Sequence, residues 1–221
     1  MFTRTVILPG PSAHWEVWRC RSGSSSVREG SGETHLEGAN VGRSVVVALP
    51  SRSCRTFAFS APTKDPEILR KLAFAQVEKR GLTSASLVQT PFRCHVVGER
   101  DGQSLVSVDV LLPDGAAALA GTPAGALLAN SRLFQIPEGK LVILQEQGRL
   151  VLCAGAGGRL LHTQIVSATG DLRGHAASEI RIAMLALQQD EIISEITGVE
   201  LWGEYPAADV ERLSYQLGIP V

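Results

Sequence analysis

The residues best suited to metal or nucleophilic chemistry are the histidines His14, His35, His95, His162 and His175 and the cysteines Cys20, Cys54, Cys94 and Cys153. Their spacing argues against both chemistries. The chain has no H-E-x-x-H, no C-x-x-C and no G-x-S-x-G. Cys94 and His95 are neighbours, and on a strand neighbouring side chains leave on opposite faces, so the two do not easily share one metal ion. The cysteines stand far apart, as reduced, half-buried thiols do. Ser22 to Ser26 has no base nearby in sequence, and Asp190-Glu191 reads as a solvated pair at a helix end. No catalytic residue, cofactor or metal ligand is expected.

Two glycine motifs invite a phosphate reading and fail it. In Gly155-Ala156-Gly157-Gly158 the third glycine of a dinucleotide loop would fall at Leu160, and a strand follows where a helix is required. The bland reading is a hairpin turn; a small-molecule enzyme built on this turn is the rival it leaves. Around Gly139-Lys140 the earlier glycine of a phosphate loop would be Phe134, and Leu141 replaces the Ser or Thr.

Composition narrows the classes further. Lys+Arg 21 against Asp+Glu 22 gives a net charge of -1, so a broad basic surface for nucleic acid or anionic lipid is not expected. With 44% hydrophobic and 19% charged residues, most of the chain has the means to fold. A length of 221 residues suits one large domain or two small ones. The apolar runs, such as Val45 to Leu49 and Leu150 to Ala154, are far shorter than the roughly 18–20 residues of a spanning helix. The start offers only Val6 to Leu8 before Pro9, which is no signal peptide, so a cytoplasmic location is the default expectation.

The elements follow from periodicity and punctuation. Thr5 to Leu8 and Trp15 to Trp18 read as strands across a Pro-Gly-Pro turn, and residues 21–44 as a loop-like connection. Ser44 to Leu49 is a strand buried on both faces, and Thr56 to Phe59 another. Asp65-Pro66-Glu67 starts a helix over 66–80 that Gly81 ends. Phe92 to Val97 and Leu105 to Leu112 flank Asp101-Gly102, a hairpin signal. Residues 113–139, rich in Ala, Gly and Pro, form a seam with a short helix near 123–131. Strands then follow over 140–144, 149–154 and 160–166, a helix over 172–189, a strand over 196–203, a helix from Pro206 to Gly218, and a closing strand from Ile219. This alternation predicts an α/β (α+β) fold with helices packed on mixed sheets.

Two helix faces bear on partners. In the 172–189 helix, Leu172, Ala176, Ile180, Ala183, Met184 and Leu187 share one face, while Ile182, Leu185 and Ala186 lie opposite. An all-round apolar helix is expected to be sandwiched, or else to turn one face to another protein. In the 66–80 helix, Glu67, Arg70, Lys71 and Glu78 form a polar side with Phe74 among them. Phe74 is there either to be covered by another segment or to anchor a partner.

The order of elements resembles the actin-like assembly proteins of type IV pili and type II secretion, the PilM proteins and the cytoplasmic domain of GspL. The resemblance is carried by Val45-Val46-Val47-Ala48-Leu49-Pro50, by Arg55 to Phe59, by the helix from Pro62 to Arg80 with its aromatic Phe74, and by the hairpin 92–112. Lys140 to Ser167 is similar to the second phosphate-facing strand pair. Ile196 to Gly203, the helix 206–217 and Leu217 to Val221 are similar to the late strand, helix and closing strand. The resemblance implies a two-lobed actin-like (ribonuclease H-like) fold. Its first lobe would be 1–112, with an inserted subdomain over about 50–112, and its second lobe 113–221.

The same resemblance implies where a nucleotide would sit, and the residues there depart from the pattern. ATP-binding relatives place Asp-Ile-Gly or Asp-x-Gly on two hairpins, the acid for magnesium-bound phosphate and the glycines for close backbone N–H groups. Here the first hairpin reads Leu8-Pro9-Gly10-Pro11-Ser12 and the second Ile143-Leu144-Gln145-Glu146-Gln147-Gly148. Gly203-Glu204-Tyr205 replaces the late Gly-Gly at the adenine. The implied role is a nucleotide-free cytoplasmic scaffold that docks the assembly ATPase and inner-membrane components, reaching the inner membrane through those partners, with a homodimer as a further possibility. The partner surface is assigned to Glu67, Arg70, Lys71, Phe74 and Glu78. The alternatives are a PilM-type ATPase with an unorthodox site and the enzyme on the Gly155 to Gly158 turn.

Overall fold

A computed structural model of the chain describes residues 3–10, 14–21, 26–32, 45–83, 91–113 and 126–221. Three sheets organise them. The first is ordered β3-β2-β1-β4-β8. It contains β1 (Thr3–Pro9), β2 (Trp15–Arg21), β3 (Val27–Gly32), β4 (Val45–Leu49) and β8 (Ala126–Ala129). β1 and β2 form the expected hairpin, and β4 runs parallel to β1. All of β4 is buried, which is why it reads as five consecutive apolar residues rather than an alternation.

Two expectations fail in this sheet. Residues 27–32, expected in a loop, form β3, paired antiparallel to β2. Val27-Arg28-Glu29-Gly30-Ser31-Gly32 lacks an apolar stripe because it is an exposed edge strand, held in part by the ion pairs Arg19–Glu29 and Arg28–Glu16. Residues 126–129, expected to be helical, are β8, parallel to β4, followed by a 3₁₀ turn, Asn130–Leu133. The rest of that expected helix, with residues 33–44 and 114–125, lies outside the described residues.

The second sheet, β5-β7-β6, contains β5 (Cys54–Ala61), β6 (Phe92–Arg100) and β7 (Gln103–Leu111). Helix α1 (Pro66–Lys79) packs on one face. The Asp65 carboxylate accepts from the Glu67 and Ile68 N–H groups, and Pro66 needs no donor there. At the far end Leu82 N–H donates to Val77 O and Gly81 N–H to Glu78 O, around a left-handed Gly81. Phe57, Phe59, Val106, Val108 and Val110 meet Leu69, Ala73 and Val77 of α1. The β6–β7 turn is Asp101-Gly102, both at positive φ, as a two-residue hairpin requires.

The third sheet, β11-β10-β9-β12, contains β9 (Lys140–Glu146), β10 (Arg149–Ala156), β11 (Arg159–Ser167) and β12 (Gly198–Trp202). Period two splits it cleanly. Leu141, Ile143, Leu150, Leu152 and Leu161 face the main core with helices α2 (Ala176–Gln189) and α3 (Ala207–Leu217). Val142, Leu144, Val151 and Cys153 face Ile136 on the other side. β11 also lies against β5, where the Thr56 N–H donates to Thr163 Oγ1 (2.9 Å). Ala58 and Leu105 thereby join the main core.

Three further expectations differ. α2 begins at Ala176 rather than Leu172, which packs in the core ahead of the helix. Its Ile182 and Leu185 are 55% and 60% exposed, so the described residues do not sandwich the helix on both faces. Ile219 to Val221 is not a strand. One bond, from the Val199 N–H to Pro220 O, lays it beside β12.

Candidate functional site

Two hairpin turns meet where the sequence places its degraded phosphate positions. In the first, the Gly10 N–H donates to His14 O (3.0 Å). A Cβ on Gly10 would stand 2.8 Å from His14 Nε2, so a side chain there would have to displace the His14 ring. In the second, Gln147 and Gly148 sit at φ 49 and 71, the two-residue turn that joins β9 to β10. The turns bond to each other: the Gln147 N–H donates to Gly10 O at 2.8 Å.

Glu146 lies directly behind this contact. It ends β9 and is 3% exposed. Its Oε2 accepts from the Ser51 N–H (2.5 Å) and its Oε1 from Asn130 Nδ2 (2.8 Å). Burial pushes the Glu146 carboxyl up, and the bonds from Ser51 and Asn130 oppose that. One side chain thus ties the β9–β10 hairpin to the turn after β4 and to the 3₁₀ turn after β8. In a phosphate cradle, backbone N–H groups point at the anion. Here the turn amide is spent on a protein carbonyl, and an acid stands behind it.

A second polar cluster sits on the face of β7 away from α1. Val106, Val108 and Val110 point to α1, so alternation sends Ser107 and Asp109 to the opposite side. Arg132, from the 3₁₀ turn, donates Nε and Nη2 to Asp109 Oδ2 and Oδ1 (2.5 and 2.8 Å). Its Nη2 also reaches Ser107 Oγ (2.8 Å). Thr56 Oγ1 donates to Asp109 Oδ1 (2.7 Å), and His95 Nε2 lies 3.1 Å from Oδ2. Burial alone would raise the Asp109 carboxyl. The bonds from His95, Arg132 and Thr56, with the guanidinium charge, hold it below the usual carboxylate range. The cluster is a joint between sheets with every acceptor occupied, and it uses one of the five histidines singled out above.

His162, on β11, is a second histidine placed by the fold. Its Nε2 is sealed from solvent without a hydrogen-bond partner. Burial pulls its pKa from 6.5 down to about 4. The unfolded chain therefore takes up this proton first. The stability His162 contributes is complete above about pH 6.5 and falls away toward about pH 4, by up to ~3 kcal/mol. His162→Leu should flatten that part of the profile, read from urea midpoints at about pH 7 and about pH 4.5. An unchanged difference between the two would refute the assignment.

The remaining residues of interest fall apart in space. Gly157 and Gly158 form the β10–β11 turn at φ 56 and 73, and the Gly157 N–H donates to the Glu138 carboxylate (2.5 Å). On α1, Glu67, Arg70, Lys71, Phe74 and Glu78 are all exposed, and Phe74 makes a tilted ring contact with Phe92 (6.3 Å). Cys54 and Cys153 are buried thiols. Burial pushes Cys54 well above the ordinary thiol range and Cys153 up to about 12, so neither is a nucleophile. Among the described residues no cluster of His, Cys, Asp and Glu could hold a metal ion, and no helix is long and apolar enough to cross a membrane.

Sequence reasoning missed Glu146, Arg132 and the role of Asp109. Asp109 had a signal: an acid in phase with Ser107 inside an alternating valine strand, in register with Thr56. Arg132 and Glu146 had none, because their partners lie in other sheets.

No protein-family model and no curated protein matches the chain. Solved structures do. A protein of Bacteroides thetaiotaomicron with an actin-like ATPase fold and unknown function aligns over 99% of this chain and 89% of its own, at 9% identity and a TM-score of 0.55. A chain of the PilM–PilN type IV pilus biogenesis complex aligns over 99% and 87%, at 12% identity and 0.57. The cytoplasmic domain of EpsL, an inner-membrane component of the type II secretion system of Vibrio cholerae, aligns over 97% and 94%, at 15% identity and 0.54. Identities this low speak to the fold alone. The chain is a mixed α/β protein with the actin-like fold, similar in structure to pilus and secretion assembly components.

Proposed function

We propose that this chain is a non-catalytic adaptor of a type IV pilus or type II secretion assembly platform. It works on the cytoplasmic side of the inner membrane, docking the assembly ATPase and inner-membrane components. The observation that carries the reading is the bond from the Gln147 N–H to Gly10 O, with Glu146 buried behind it. A turn amide committed to the other turn is not free for a phosphate, and a carboxylate at that point repels one. The likeness to PilM–PilN and to the EpsL domain supports the kind of machine.

The docking face is α1. Its inner residues Leu69, Ala73 and Val77 hold the subdomain, so its outer residues are free to vary. Phe74 is 42% exposed amid Glu67, Arg70, Lys71 and Glu78. An aromatic ringed by charge is the composition of an interface anchor. Phe74→Ala should lower folding stability by less than about 1 kcal/mol and weaken capture of the cognate assembly ATPase at least about ten-fold in a pull-down. A variant that unfolds would make Phe74 a core residue. A folded variant with undiminished capture would move the docking surface elsewhere.

A further inference from the structure

A cavity of about 600 Å³ opens between the turn after β4 and the third sheet. Arg52 and Ser53 line it from that turn, Arg55 from β5, Arg149 from the start of β10 and Thr163 from β11. Among the described residues that line it there is no carboxylate. Its volume lies in the usual range for a small-molecule site.

The arginines set this cavity apart. Several exposed cations elsewhere are answered by acids, Arg19 by Glu29, Lys64 by Glu99, Lys140 by Glu200 and Arg173 by Asp209, whereas here three arginines converge on one concavity. Among the described residues, no carboxylate or carbonyl takes a hydrogen bond from Arg52, Arg55 or Arg149. Three guanidinium groups around one concavity repel one another, and an anion between them relieves the repulsion. Hydroxyl groups stand with them. Thr163 Oγ1 accepts the Thr56 N–H, which leaves its own proton to donate, and Ser53 Oγ adds a second donor. Glu146 is within electrostatic reach of Arg52, but its two carboxylate oxygens accept from the Ser51 N–H and from Asn130 Nδ2. Planar guanidinium forks with hydroxyl donors suit the several oxygens of phosphate groups better than a single carboxylate.

We propose that this cavity binds a small anion bearing more than one phosphate group, with Arg52, Arg55 and Arg149 as its charged contacts. The cavity begins beside the second turn, since Arg149 follows Gly148, but its charged contacts are side chains rather than the turn amides, and it requires no magnesium. The source is either free polyphosphate or the diphosphate end of a nucleotide.

The test is calorimetric titration of the full chain with pyrophosphate, ADP and adenosine in a magnesium chelator, with sulfate at matched ionic strength. Pyrophosphate should bind at about 0.1 mM or tighter, and more weakly as salt rises. R55Q and R149Q should each weaken it about ten-fold or more with unchanged urea midpoints. Equal affinity for ADP and pyrophosphate makes free polyphosphate sufficient; clearly tighter ADP makes a nucleotide the source. Adenosine should not bind. The proposal is overturned if pyrophosphate does not bind, if sulfate matches it, if both arginine variants bind as the wild type does, or if an oligoglutamate peptide binds where pyrophosphate does not.

Discussion

Replacing Arg132 by methionine should remove about 3–5 kcal/mol of folding stability, the largest loss expected from a single charged side chain in this protein. The side chains of Arg132 and Asp109 are 14% and 10% exposed. Removing the guanidinium leaves a buried carboxylate with only Thr56 and His95 for company. Lys64–Glu99 provides the contrast. It has a short contact of 2.7 Å, yet its side chains are 70% and 50% exposed, so K64M should cost under ~1 kcal/mol. Urea unfolding of R132M, D109L and the double variant separates the terms. If the pair acts as argued, the double variant should be more stable than the sum of the single losses allows, with a coupling of about 1–3 kcal/mol. A loss under about 1 kcal/mol for R132M would mean that water reaches the pair and that the joint between the sheets rests on apolar packing alone.

Gly155→Ala should cost about 2–3 kcal/mol, a large penalty for one methyl group. Gly155 has no positive φ, so conformational freedom is not the reason. A Cβ there would lie 2.5 Å from the Arg159 carbonyl oxygen and 2.7 Å from Ile136 Cβ. Neither atom is the far end of a flexible side chain, so the β10–β11 hairpin or the Ile136 segment must move. The result bears on the rival reading of the Gly155 to Gly158 turn. If the glycine serves packing, alanine lowers the urea midpoint. If it serves a ligand, alanine leaves the midpoint in place and removes binding. Gly157→Ala is a poor substitute for this test, because its φ of 56 strains any side chain whatever the turn does.

How legible the fold was depended on whether a signal was local. The α1 start and stop were read from Asp65-Pro66-Glu67 and Gly81, and the structure shows both caps bonded as expected. The hairpin turns at Asp101-Gly102 and Gln147-Gly148 were equally plain, since each needs two residues at positive φ. β3 was missed because its partner β2 supplies what its own sequence lacks. β8 was missed because Ala126-Leu127-Leu128-Ala129 favours a helix locally, while its parallel pairing with β4 decides otherwise. The burial of α2 was overestimated for a related reason: periodicity reports which residues could be covered, and Ile182 and Leu185 find nothing in the described chain to cover them.

The site was legible in part. The missing Asp-x-Gly signatures were visible in Leu8-Pro9-Gly10 and Gln145-Glu146-Gln147. That Gly10 and Gln147 bond to each other, and that Glu146 takes the Ser51 N–H across 95 residues of chain, belongs to tertiary structure and has no sequence pattern.

The most direct measurement is titration of the full chain and of its R55Q/R149Q double variant with Mg-ATP and Mg-ADP in excess magnesium. The double variant separates the joined turns from the arginine cavity. If the turns at Gly10 and Gln147 are closed to phosphate, the double variant should take up neither nucleotide at millimolar concentration. Micromolar binding that persists without the two arginines would place a nucleotide between the turns and contradict the adaptor reading.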